Sequence, residues 1–267
     1  MRFYLGTSQP GWLWLKDDRL VDVPLFVSVR RLSGHKRLKK ATCKAWALDS
    51  GGFSELSMFG EWTIKPRRYI WEIRRYVDQI GRLDWCAIQD WMCEPEILRK
   101  TNGKVKDHQR RTVDSYLELK NLASDLPFIP ILQGWKLDDY LRHIDQYMIR
   151  GVDLFSAPVV GVGTLCRRQS SLVAAVIVES LYNEGLTSIH GFGVKKSGLG
   201  RFKRCLKSSD SLAWTVEARM NPPLPGHHHK HCSFCVDYAL LWRDRLLESI
   251  GYYSIKSSPT IQRSLPF

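Results

Sequence analysis

Short apolar runs rich in Val, Ile, Leu, Phe and Trp recur along the chain, with longer stretches of helical repeat between them. The runs at residues 3–6, 25–29, 46–49, 85–89, 128–133, 154–160, 188–192 and 211–214 predict eight strands. Between them, Ile70, Ile73, Val77 and Ile80 recur at steps of three and four. So do Val113, Tyr116 and Leu117 with Leu122, and Leu137, Tyr140, Leu141 and Ile144 with Met148. Such spacing gathers apolar side chains on one helical face, which predicts helices lying over a sheet. A further amphipathic stretch covers residues 236–250.

Eight strands interleaved with helices predict an α/β fold of the (β/α)8 TIM-barrel type, with a doubly wound open sheet as the alternative. Asp49, Asp90, Gln133, Gly161, Gly193 and Asp210 fall at or just beyond strand ends. A closed parallel barrel brings all such ends to one rim, where enzymes of this shape carry their active sites, and this favours the barrel. The pattern breaks once: residues 30–44, between the second and third strands, are basic and show no clear helix. No internal repeat, low-complexity segment or long linker divides the chain. Residues 1–267 are therefore expected to form a single catalytic barrel domain. Within it, 221–250 form a zinc-binding segment and helix, entered through a loop with Pro222, Pro223 and Pro225.

Charge adds a partner to this picture. The 267 residues carry 40 Lys+Arg against 27 Asp+Glu, a net +13, while 44% hydrophobic and 25% charged residues exclude a disordered or collagen-like chain. Residues 30–44 hold seven Lys/Arg and no acid, and residues 195–207 hold six and no acid. A solvated surface would account for either run alone. Two together favour a polyanion, because each phosphate neutralised releases condensed counterions, and nucleic acid is the first such partner to consider. No apolar run approaches the roughly 18 residues of a membrane span, and the start lacks the charged-then-apolar order of a signal peptide. A cytoplasmic protein without membrane contact is expected. Seven cysteines, an odd number scattered over the chain, do not form a disulfide framework.

Candidate chemistry sits at the strand ends. Asp49-Ser50-Gly51-Gly52-Phe53 offers a carboxylate and then glycines that let backbone approach a ligand, although Asp49 capping the next helix is the structural alternative. Asp90 and Gln133 together supply acceptors and an amide donor. A carboxylate accepts from N1–H and the exocyclic amine of guanine while an amide donates to O6, so the pair can read a purine edge. Each alone is also an ordinary turn residue. Gly161-Val162-Gly163 lacks the spacing of a dinucleotide or phosphate loop. His190 reads as a packed core histidine or as part of a site. Asp210 is a third acid. Three carboxylates on one rim repel one another unless their environments give them different roles, as a nucleophile beside a proton-transfer acid requires. Lastly, the histidines of 227–231 precede Cys232-Ser233-Phe234-Cys235. Two thiolates with imidazoles satisfy a tetrahedral structural zinc, against the alternatives of an incidental polar loop or a redox dithiol.

Taken in order, these segments resemble the tRNA-guanine transglycosylase superfamily, and most closely its phage and bacterial branch that inserts 7-deazaguanines into DNA. The Asp-Ser-Gly-Gly-Phe pattern is present at 49–53, the acid of the base pocket matches Asp90, and the Gln-Gly strand end matches Gln133-Gly134. The glycine loop matches 161–163, the Gly-x-Gly strand 191–193, and the nucleophile segment 209–213. The likeness implies Asp210 as nucleophile and Asp49 as general acid and base. It also implies a base pocket of Ser50, Phe53, Asp90, Gln133, Gly161, Val162, Gly163 and His190. The partners implied are DNA and a 7-deazaguanine base such as preQ0. Departures are clear: Lys230 stands where the family has its first zinc cysteine, and no histidine follows Cys235. Two histidines of the cluster must then replace them, and His227 and His229 are chosen with Cys232 and Cys235, since adjacent His231 and Cys232 reach one metal awkwardly. The glycine loop also lacks the family's second glycine-leucine step and runs into Cys166-Arg167-Arg168. The chain is shorter than the tRNA enzymes, which favours DNA. A tRNA transglycosylase, a non-catalytic nucleic-acid binding module and a zinc-dependent barrel nuclease are the other readings.

Overall fold

The computed structural model describes residues 1–252; positions 253–267 of the expected domain lie outside the described residues. Among the described residues nine strands form one sheet: β1 (Arg2–Gly6), β2 (Leu25–Ser28), β3 (Trp46–Asp49), β4 (Leu83–Ala87), β5 (Phe128–Ile129), β6 (Ile131–Leu132), β7 (Val160–Val162), β8 (Ile189–Gly191) and β9 (Ser208–Ser211). Every pairing is parallel, in the order β5-β4-β3-β2-β1-β9-β8-β7-β6. β5 and β6 are separated only by Pro130, which has no N–H to give the ladder. The two ends of the order are thus halves of one run, so the sheet closes into the ring of eight expected of a TIM-type barrel.

The helices are α1 (Asp18–Val21), α2 (Val29–Leu32), α3 (Gly52–Phe59), α4 (Pro66–Gln79), α5 (Pro95–Thr101), α6 (Val105–Leu122), α7 (Leu137–Ile149), α8 (Leu172–Asn183), α9 (Lys196–Phe202), α10 (Trp214–Met220) and α11 (Val236–Ser249). α4 buries Tyr69, Ile70, Ile73 and Tyr76, and α7 buries Tyr140, Ile144 and Tyr147. Val77 and Met148, expected in those stripes, face outward, because tyrosines one residue earlier take the buried positions. Among the described residues no helix is long and apolar enough to cross a membrane. α2 is a single turn, so the basic segment joins β2 to β3 largely without helix.

Two strands differ from the pattern-based expectation. The run 154–160 turns before it pairs: Asp153 accepts from the Phe155 N–H at 2.9 Å, Ala157 N–H reaches Leu154, and Pro158 follows. Only Val160–Val162 joins the sheet. The final strand is Ser-Ser-Asp-Ser, earlier than 211–214 and without apolar alternation, while Trp214 begins α10. It is nonetheless buried between β1 and β8. The ladder satisfies its backbone, and the Ser209 hydroxyl donates to the carbonyls of Gly191 and Val194 at 3.0 and 2.8 Å.

Inside the ring, Tyr4, Phe26, Trp85, His190 and Phe192 pack edge to face or tilted, with Trp85 and His190 centroids 4.6 Å apart. This aromatic layer is the floor on which the strand-end residues stand. The last helix, α11, is tied to α10 by Trp242 and Tyr238, which both donate to Glu217.

Candidate active site

β3 ends at Asp49, which the register sets beside Ser28 at the end of β2. On the other side of β1, β9 carries Asp210 opposite Tyr4. Asp90 follows β4, and Gln133 directly follows β6. Asp49, Asp90, Gln133 and Asp210 line one cavity of about 260 Å³ with Phe53 and Gly163. That volume is near the lower end for small-molecule sites and suits one nucleobase rather than a dinucleotide cofactor. A second hollow of about 490 Å³ adjoins it, sharing Ser28, Arg31, Asp49, Phe53, Met92 and Leu212.

Each acid is held differently. Gly51, at φ 78°, turns the chain so that its N–H donates to Asp49 Oδ2 at 3.1 Å, a backbone conformation that a side chain here would strain. Asp90 accepts from Gln133 Nε2 at 2.6 Å and from the Ser50 hydroxyl at 3.3 Å. Gln133 Oε1 accepts from Thr164 at 2.6 Å. A Cβ on Gly163 would lie 2.2 Å from Gln133 Nε2, so only glycine lets the loop backbone lie against that amide. The Gln133 main chain is fixed too, its N–H donating to His143 Nδ1 at 2.9 Å and its carbonyl accepting from Gln109 at 2.7 Å. Asp210 Oδ1 accepts the Gly193 N–H at 2.8 Å and lies 3.3 Å from His190 Nε2. Among the described residues no hydrogen bond reaches Asp210 Oδ2.

The environments separate the acids. Burial raises Asp49 to about 6; the Ser28 hydroxyl opposes the shift, and the charge of Asp210 adds to it. Burial raises Asp90 to about 7, against the Gln133 hydrogen bond and with the charges of Asp49 and Glu94 adding. A carboxyl near 6 exchanges a proton readily at neutral pH, as a general acid and base must. Burial drives His143 down to about 3, so it stays neutral and accepts the Gln133 N–H.

Of the residues expected in the base pocket, Phe53, Asp90, Gln133 and Gly163 reach the cavity. The other four do not line it. Ser50 stands behind Asp90, Gly161 and Val162 are buried within β7, and His190 is wholly buried beneath Asp210 with Nδ1 2.8 Å from Ser208 Oγ. Sequence reasoning missed Thr7 and Ser8 after β1, Ser28 at the end of β2 and Arg31 in the turn of α2 beyond it, and Glu94, Thr164 and Phe192. The strand-end rule, applied to β1 and β2 as it was to β3, would have found the first four.

The tail forms a second cluster. His227, His229, Cys232 and Cys235 bring one ligand atom each within 4.8 Å of one another, which are the four residues chosen from sequence. His227 directs Nδ1 at Cys235 Sγ (3.5 Å) and Nε2 at Asp237 (3.3 Å), and Asp237 in turn binds Arg19 at 2.6 Å. A carboxylate on the outer nitrogen is how proteins orient a metal-bound histidine. The Leu224 N–H points at Cys232 Sγ from 3.4 Å. Two sulfurs and two imidazoles could hold a tetrahedral zinc ion and leave no open position.

The protein is thus a closed parallel barrel whose rim gathers four carboxylates, of Asp49, Asp90, Glu94 and Asp210, and the Gln133 amide around one cavity, where enzymes of this fold carry their active sites. The chain belongs to the DpdA family, described as DeoxyPurine in DNA protein A, whose model matches residues 1–261. This is a tRNA-guanine transglycosylase-like family that inserts 7-deazaguanine into DNA, and membership assigns the chain a DNA-guanine transglycosylase role in broad terms. No curated protein matches the chain.

Proposed function

We propose that this protein exchanges guanine in DNA for a 7-deazaguanine base through a covalent glycosyl-aspartate at Asp210. The observation that carries the reading is that Asp49 and Asp210 face one base-sized cavity whose wall presents the Asp90–Gln133 pair. Asp210 Oδ2 attacks C1′ of the deoxyguanosine as the C1′–N9 bond breaks, and Asp49 gives its proton to the departing guanine. The incoming base then attacks C1′ through N9, the C1′–O bond to Asp210 breaks, and Asp49 takes up the N9 proton. Two displacements restore the original anomeric configuration, as in retaining glycosidases. Gly193 N–H keeps Oδ1 occupied and so directs the other oxygen to the sugar.

Asp90 and Gln133 hold either base by its Watson–Crick edge, Phe53 lies against its face, and Gly163 offers backbone. A paired base cannot reach such a cavity, so the nucleotide is flipped out or already single-stranded. The adjoining hollow suits a neighbouring phosphate at Arg31. Arg30 beside it is already paired with Glu55. The tail cluster is read as a structural zinc site within 221–250 that fastens α11 to the barrel of the single domain. When bound, zinc would cross-link the loop to α11 and supply no chemistry to the cavity. The test is to offer labelled guanine with DNA or with tRNA. Label entering DNA alone supports the proposal, label entering tRNA transfers the activity to RNA, and salt-sensitive binding without exchange reduces the protein to a binding module.

A further inference from the structure

β9 places its first two serines on opposite faces of the sheet. Ser208 and Asp210 lie two residues apart, so their side chains share a face, and the register sets His190 of β8 opposite Ser208. The three side chains stand in a line beneath the cavity. Ser209 points the other way, its hydroxyl on the carbonyls of Gly191 and Val194.

The line fixes where the imidazole carries its proton. Rings of Tyr4, Phe26, Trp85 and Phe192 wall in the wholly buried His190, with centroids 4.6 to 6.0 Å from its own. Ser208 is buried too, and among the described residues its hydroxyl makes one hydrogen bond, to His190 Nδ1 at 2.8 Å. The hydroxyl proton goes to that nitrogen, because a buried hydroxyl without an acceptor is costly. Nδ1 then accepts, and the ring proton sits on Nε2. The other side of the ring agrees: Nε2 faces Asp210 Oδ1 at 3.3 Å, where a lone pair would meet a carboxylate that can only accept. Among the described residues Nε2 has no in-line hydrogen-bond partner. Hydrogen bonds in an unliganded site are often long or poorly aligned and tighten as the reaction proceeds.

We infer that His190 is a positioning residue for the nucleophile: its Nε2–H joins the Gly193 N–H on Asp210 Oδ1, and the two donors draw the carboxylate off the sugar in the second displacement. This rests on Asp210 being the nucleophile, as proposed above. In the first displacement Oδ2 bonds to C1′, the electron pair of the C1′–N9 bond leaves with guanine, and Oδ1 becomes an ester carbonyl. In the second, N9 of the incoming base bonds to C1′, the C1′–Oδ2 bond breaks, and its electron pair restores the carboxylate. Hydrogen bonds to an ionised acceptor are stronger than those to a neutral one, so both donors tighten on Oδ1 as the charge returns. In the first displacement they aim Oδ2 but weaken its attack, and these two effects oppose each other. His190 therefore acts chiefly on release.

The full chain is mixed with guanine-containing single-stranded DNA, quenched at intervals to measure the Asp210-linked peptide, and chased with free guanine to time its discharge. His190→Leu, which fills the space without a donor, should slow discharge roughly 10- to 100-fold and change formation of the adduct by less than about fivefold, so that more linked protein is trapped. His190→Gln, whose amide keeps an N–H donor, should discharge within about fivefold of the wild type. Equal slowing of both steps, unchanged discharge in His190→Leu, or His190→Gln as slow as His190→Leu overturns the inference while leaving Asp210 as the nucleophile. Absence of the Asp210-linked peptide from the wild type removes the nucleophile reading and this inference with it. Nitrogen NMR of histidine-labelled protein checks the ring proton without catalysis, the His190 signals being those missing from His190→Gln. A proton on Nε2 that spreads over both nitrogens in Ser208→Ala is the expected result. A wild-type proton on Nδ1 overturns the inference, even should His190→Leu fail to fold.

Discussion

The rim cavity and the tail cluster both concentrate reactive side chains, yet they are assembled in opposite ways. The tail draws its four candidate metal ligands from nine consecutive residues, 227–235, with the Asp237 carboxylate beside His227 just beyond. The rim draws Asp49, Asp90, Gln133 and Asp210 from four separate strand ends spread over 162 positions of the sequence, and only closure of the sheet brings them together. The tail holds its four side-chain ligand atoms within 4.8 Å of one another. Among the described residues the rim leaves one Asp210 oxygen without a hydrogen bond and keeps the Asp49, Asp90 and Glu94 carboxyls raised by burial, the pattern of shifted acids that reactive sites carry.

If this contrast is functional, substitutions at the rim should remove exchange with little loss of fold, and substitutions at the tail should do the reverse. The largest effect is expected from Asp210→Ala, which should lower guanine exchange by about 10⁴-fold or more with the metal content unchanged. Exchange assays beside metal analysis check both halves. Next, Asp49→Asn should slow expulsion of guanine by roughly 10²- to 10⁴-fold. In the wild type that step needs protonated Asp49, so its rate should fall as pH rises through about 6, and the inflection should vanish in the variant.

Asp90→Asn should weaken base binding by roughly 10- to 100-fold. It also has a signature in stability. Because folding raises the Asp90 carboxyl to about 7, the native state holds a proton that the unfolded chain releases near pH 4. Wild-type stability should therefore fall as pH rises between those values. Asp90→Asn should remove its share of that slope and gain on the wild type above pH 7, as denaturant melts at several pH values would reveal. The smallest effect on chemistry is expected from Cys232→Ser. It should abolish metal binding and lower the melting temperature by about 5 °C or more, but change exchange by less than about threefold while the protein stays folded. A tail variant that loses exchange at a temperature where it is still folded would join the two regions and break the comparison.

The same contrast explains what could be read from the sequence. The His/Cys cluster was legible because a local spacing sets it, and the four residues picked from the sequence are the four that converge. The strands bearing Asp49, Asp90 and Gln133 were legible because apolar runs end in unusual residues. β9 was misread by three positions because Ser208–Ser211 has no apolar alternation: its burial comes from neighbours on both sides, which no local pattern records. His190 and Ser50 were grouped with the base pocket because they adjoin its motifs, yet one lies under Asp210 and the other behind Asp90. Glu94 carries no motif, and only the fold brings it to Thr164 from 70 residues away.

The central claim concerns a bond between Asp210 and deoxyribose, and peptide mapping tests it most directly. The protein is incubated with guanine-containing DNA, denatured during turnover, digested, and analysed by mass spectrometry. A deoxyribose-linked peptide containing Asp210, lost in Asp210→Ala and discharged by added base, is the predicted result. A linkage at another residue, or active exchange with no linked peptide at any time point, would contradict the account.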